Sequence, residues 1–105
     1  MIMNYTDKMQ KIRLSQQAID CITQDVLGVD PNAKTYIFGS RADLNKKGGD
    51  IDILIISKIF DFKDAQKLRI HLQNVIGEQK IDVVYSRDHE NDPFIQIALE
   101  TGVEI

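Results

Sequence analysis

Cysteine, proline and tryptophan are scarce in this 105-residue chain, which has one cysteine, two prolines and no tryptophan. A lone thiol, Cys21, excludes an internal disulfide, and its place on a helical pattern marks it as a small core residue. The two histidines, His71 and His89, are isolated from each other and from Cys21. No Cys/His spacing of a zinc site is present, and each histidine is expected to be structural. No apolar run approaches the roughly 20 residues that span a bilayer. The first residues, MIMNYTDKMQKIR, lack a signal-peptide hydrophobic region with a cleavage site, so a cytoplasmic chain with no membrane partner is expected. Basic charge is short as well. The net charge is −3, and the basic residues are scattered: Lys8, Lys11 and Arg13 near the start, Lys46 and Lys47 in a loop. That argues against direct nucleic-acid binding. Linkers, repeats and low-complexity segments are absent too. The length fits one domain over 1–105, burying roughly 65% of its unfolded surface.

What is present reads as an ordinary globular chain, 43% hydrophobic and 28% charged. Tyr5, Met9, Ile12, Ile19, Ile22 and Val26 recur at helical steps. They predict an N-terminal helix over about 5–27, capped by Asn4 or Thr6 and ended by Gly28. Lys34 to Phe38 reads as a strand. Asp50 to Ser57 is a second strand, apolar enough to be buried on both faces. Asp61 with Asp64 predicts a helix N-cap, and Phe60 can staple onto Ala65. The stripe Ala65, Leu68, Leu72, Val75 and Ile76 then runs to Gly77. Lys80 to Tyr85 is a third strand, with Ile81, Val83 and Tyr85 facing one way and Asp82 and Val84 the other. Asp92-Pro93 opens a short helix that closes before Gly102. Val103 and Ile105 add a short last strand or dock on the core. The expected fold class is α/β (α+β): a small mixed β-sheet with helices packed on one face, and a catalytic core over about 34–105.

The most informative stretch is Tyr36 to Ile56, YIFGSRADLNKKGGDIDILII. An apolar strand ends in Gly39-Ser40, and a loop with Arg41, Lys46 and Lys47 leads through Asp50-Ile51-Asp52 into the next strand. Carboxylates at i and i+2 of a strand share a face, roughly 6.5–7 Å apart. Holding them together at the end of an apolar strand is unfavourable unless a cation lies between. Oxygen ligands suit Mg²⁺. The Gly39-Ser40 turn can offer backbone N–H groups to phosphate, and Arg41 can help neutralise a triphosphate. Asp82 interrupts an otherwise apolar strand. If that strand lies beside the second, Asp82 converges with Asp50 and Asp52, and three carboxylates can hold two Mg²⁺ ions, with Asp82 also placed to accept a hydroxyl proton. A metal pair beside a phosphate cradle points to phosphoryl or nucleotidyl transfer.

On Gly39-Ser40, Asp50-Ile51-Asp52, Asp82 within KIDVVY and the closing ALETGVEI, the chain resembles the minimal nucleotidyltransferase (MNT) family of the polymerase-beta-like nucleotidyltransferase superfamily. The resemblance runs from about Lys34 to the C-terminus. It implies a nucleotidyltransferase fold, with Gly39-Ser40 on the nucleotide triphosphate, Asp50 and Asp52 on metal and Asp82 completing the site. Mg²⁺ and ATP are the implied cofactor and substrate. Small stand-alone members resemble the antitoxin half of HEPN/MNT toxin–antitoxin pairs. The resemblance thus implies a HEPN-domain ribonuclease toxin as partner, silenced by AMP transfer from ATP to one of its tyrosines (AMPylation). Two alternatives remain open: a small-molecule nucleotidyltransferase similar to those that inactivate aminoglycosides, and a non-catalytic antitoxin acting by contact alone.

Overall fold

The computed structural model describes residues 12–43, 49–87 and 92–105. Among these, three α-helices and four strands alternate along the chain: α1 (Gln16–Val29), β1 (Lys34–Phe38), a 3₁₀ turn (Gly39–Ala42), β2 (Ile51–Ile56), α2 (Phe62–Ile76), β3 (Ile81–Ser86), α3 (Pro93–Thr101) and β4 (Val103–Glu104). The expectations placed on Asn4, Tyr5, Thr6, Lys8, Met9, Lys11, Lys46, Lys47 and His89 lie outside the described residues.

Capping chemistry sets the helix starts. The Ser15 hydroxyl accepts from the Ala18 N–H at 3.2 Å and opens α1. The predicted helix over 5–27 therefore does not run unbroken through this segment. Arg13 donates its backbone N–H to the Arg41 carbonyl at 2.8 Å rather than to a helical neighbour. Ile12 is nonetheless buried. Its agreement with the helical period reflects a core position reached from a bend. At the other end α1 continues through Gly28 to Val29, and the Asp30 N–H closes on the Val26 carbonyl at 2.9 Å. In α2 the expected capping box forms: Asp64 donates its N–H to Asp61 at 3.2 Å, and Asp61 donates back to the Asp64 carboxylate at 3.0 Å. Phe60 and Ala65 are both buried beside it. In α3 the Asp92 carboxylate accepts from the Phe94 N–H at 2.9 Å, with Pro93 at the first helical position.

The sheet order is β3-β2-β1-β4. β1 runs antiparallel to both β2 and β4, while β2 and β3 are parallel. A parallel pair needs a crossover, and α2 supplies it. Alternation along β2 sorts its side chains. Ile51, Ile53 and Ile55 join Ile37 and Ile81 against Ile19, Ile22 and Val26 of α1 and Leu68 and Leu72 of α2. This is the main core. Leu54 points the other way and packs with Ile95 and Ala98 of α3, beside Tyr36, Phe38, Ile56 and Val84. The two long helices thus share one face of the sheet, and α3 lies against the opposite face. β2 is buried on both faces because each has its own helical cover. A Cβ on Gly102 would lie 2.6 Å from the Ala98 carbonyl and 3.1 Å from the Ile37 carbonyl, so glycine lets α3 end flush against β1. No described helix is long and apolar enough to cross a membrane.

Candidate active site

Asp52 and Asp82 are register partners on the parallel strands β2 and β3. Residues paired in register point to the same face, so the two carboxylates stand side by side. They share the face with Leu54 and Val84 and lie at the sheet end where β2 and β3 begin. Asp50 sits just before β2, and the following Ile51 N–H donates to the Lys80 carbonyl at 2.9 Å. One ammonium reaches the outer two acids: Lys80 Nζ is 3.9 Å from Oδ2 of Asp50 and 3.8 Å from Oδ2 of Asp82. Oxygens sharing one cation at such distances are within about 8 Å of each other, inside the reach of a shared site with ions ~3.5–4 Å apart.

Asp52 is the innermost of the three. Its carboxyl titrates above the ordinary aspartate range. Burial is the main cause. The charge of Asp82, a hydrogen bond with Asp82 and the charge of Asp50 all push in the same direction, and Lys80 opposes them. Among the described residues, the site therefore concentrates negative charge beyond what Lys80 offsets. It offers hard oxygen donors to a cation, the donor set that Mg²⁺ takes.

The turn after β1 meets this cluster. Phe38 pairs with Asp52 across the antiparallel ladder, so Gly39 leaves the sheet beside the Asp52 carboxylate. Gly39 has φ +69°, and a Cβ there would collide with Asp52 Oδ2. Only glycine meets both conditions. The 3₁₀ turn that follows has no side-chain cap at its start. Its leading N–H groups have no partner within the turn. Ser40 faces its carbonyl the other way, accepting from Arg13 Nη2 at 3.2 Å and from the Asp43 N–H at 3.3 Å.

Arg41, expected on phosphate, is turned toward protein acceptors. Nη1 donates to the Arg13 carbonyl at 2.6 Å, and Nη2 donates to the Gly49 carbonyl at 3.2 Å and to Gln79 Oε1 at 2.8 Å. Burial and the neighbouring Arg13 charge lower its pKa. The guanidinium ties the segment before α1, the end of the loop leading to Asp50, and the residue before Lys80 into one knot. The structure brings Gly39, Asp50, Asp52 and Asp82 together and sets Arg41 at their edge as a fastener. Sequence reading missed Lys80 and the Arg13–Arg41–Gln79 knot. Lys80 was findable, since it precedes Asp82 by two and shares its side of the chain. The knot was not, because Arg41 is 28 residues from Arg13 and 38 from Gln79.

A mixed sheet carrying paired carboxylates next to a glycine turn is the arrangement on which the family comparison bears. The family described as Polymerase beta, Nucleotidyltransferase matches residues 29–105. The chain belongs to that family, and its domain is a nucleotidyltransferase domain. No curated protein matches the chain.

Proposed function

We propose that the chain is a Mg²⁺-dependent protein adenylyltransferase that acts as an antitoxin, moving AMP from ATP to a tyrosine of a HEPN-domain ribonuclease toxin. The observation that carries this reading is the in-register pair Asp52–Asp82, with Asp50 bridged to it through Lys80 and Gly39 pressed against it. The three carboxylates would hold magnesium, whose charge, when bound, neutralises the triphosphate and stabilises charge developing on it. The leading N–H groups of the Gly39–Ala42 turn and the Ser40 hydroxyl hold the phosphates. Lys80, over half exposed and already between two acids, is placed to follow the departing negative charge. Asp82 accepts the proton of the tyrosine hydroxyl. The phenolic oxygen forms its new bond to the α-phosphorus, the bond from that phosphorus to the α–β bridging oxygen breaks, and pyrophosphate leaves with the bonding electrons. Arg41 acts through the backbone, holding Gly49 and hence the approach to Asp50.

The intact mass of the HEPN partner, measured after incubation with the chain, ATP and Mg²⁺, tests this. An AMP-sized gain with the natural chain, and none with Asp50→Asn/Asp52→Asn, is expected. An unmodified partner silenced equally by both chains would assign the antitoxin role to contact alone. Label on an aminoglycoside-like small molecule instead of on the partner would move the acceptor to the small-molecule class.

A further inference from the structure

A second group of donor side chains lies on the helical side of the sheet, away from the three aspartates. Cys21 and Asp25 are one helical turn apart on α1 and so share a face. His71 faces them from α2, with Nδ1 3.0 Å from each Asp25 carboxylate oxygen. The Cys21 sulfur, the Asp25 carboxylate and a His71 ring nitrogen all lie within 4.8 Å of one another. We propose that Cys21, Asp25 and His71 bind one divalent transition-metal ion of the zinc class, clasping α1 to α2 and leaving its fourth position to water.

An ion pair accounts for Asp25 and His71 alone; it does not account for a thiol converging on the same point. The set Cys, His, carboxylate is the mixed soft and borderline donor set that zinc takes, and one that magnesium does not. Around a tetrahedral ion with Zn–S about 2.3 Å and Zn–N about 2.0 Å, donors stand about 3.5 Å apart. The three donor atoms, all within 4.8 Å of one another, need only a modest contraction to reach that geometry. Cys21 is buried. Asp25 and His71 form the rim and line an open cavity of about 410 Å³ together with Gln24, Gly28, Asp64 and Lys67. That cavity opens onto two of the three donors, Asp25 and His71, and gives an ion its approach to them. On binding, the Cys21 S–H proton leaves to solvent. The His71 ring keeps its proton on Nε2, so that the Nδ1 lone pair faces the ion. The ligands are 46 residues apart between Asp25 and His71, which is why no zinc spacing shows in the sequence.

The test uses the full chain and Co²⁺ as a spectroscopic stand-in. Carrying Asp50→Asn/Asp52→Asn removes the competing acidic site. The expected result is one Co²⁺ per chain with a near-ultraviolet thiolate-to-cobalt band and the visible bands of a tetrahedral ion, displaced by one equivalent of Zn²⁺. Cys21→Ser should abolish the thiolate band, and His71→Ala should weaken Zn²⁺ binding by more than about tenfold. His71 is half exposed, so its replacement keeps the test decisive even if Cys21→Ser fails to fold. No thiolate band, or a Zn²⁺ affinity unchanged by His71→Ala, would overturn the proposal. Neither outcome bears on nucleotide transfer, which the other face of the sheet would carry out.

Discussion

Gly39 and Asp52 constrain each other more tightly than any other pair near the site. Gly39→Ala adds a Cβ where the Asp52 carboxylate lies and forces a side chain onto a positive φ. A loss of roughly 1–3 kcal/mol in stability is expected from the backbone conformation alone. The urea midpoint should therefore fall, with transfer activity falling further because Asp52 is displaced. An unchanged midpoint would mean that the turn relaxes elsewhere. Asp52 itself should write a signature in pH. Its carboxyl binds a proton more tightly folded than unfolded. The associated stability is complete below the unfolded value of about 3.9 and is lost as pH rises through the higher folded value. In EDTA, the natural chain should lose stability relative to Asp52→Asn as pH climbs through that window, and Mg²⁺ should reduce the difference. Parallel stability curves for the two chains across that range would contradict the crowding of charge described here. At this scale the sequence was most legible where spacing is short. Asp50-Ile51-Asp52 and Gly39-Ser40 are local patterns, and strand alternation places them. Arg41 reads from the sequence as a phosphate ligand, and its donation to the carbonyls of Arg13 and Gly49 is a structural role that no local pattern shows.

At the scale of elements, caps and crossovers decide where the acids meet. The capping box on α2 and the Asp92-Pro93 start of α3 were readable because capping is a code of adjacent residues. The start of α1 was misread, since Ile12 keeps the helical period while its backbone belongs to a bend held by Arg41. Ser15 is the true cap. Ser15→Ala should lower stability by about 1 kcal/mol, seen as a drop of several degrees in Tm. An unchanged Tm would place the helix start elsewhere. The knot around Arg41 joins elements that the sheet does not. Arg41→Ala removes a donor from the Gly49 and Arg13 carbonyls and from Gln79 and should cost roughly 1–3 kcal/mol. If Arg41 instead acts mainly on phosphate, Arg41→Ala would raise the KM for ATP and leave Tm unchanged.

Taken as a whole, the described residues form a four-stranded mixed sheet whose two faces are covered differently. One is sealed by α1 and α2 and holds the main core. The other carries α3 and, past its edge, the carboxylates of Asp52 and Asp82. The mixed sheet could be expected from the order of strands and helices. The side taken by α3 could not, because a nine-residue helix with an apolar stripe packs equally well on either face until β4 pairs with β1 and fixes its exit. On the function proposed above, the three aspartates serve nucleotidyl rather than phosphoryl transfer. Parallel reactions with ATP labelled at the α- or the γ-phosphate, in Mg²⁺ with the HEPN partner, test it most directly. The α-label should be retained on protein, the γ-label released as pyrophosphate, and Asp50→Asn/Asp52→Asn should retain neither. Retention of the γ-label, or equal α-labelling by the double variant, would contradict it.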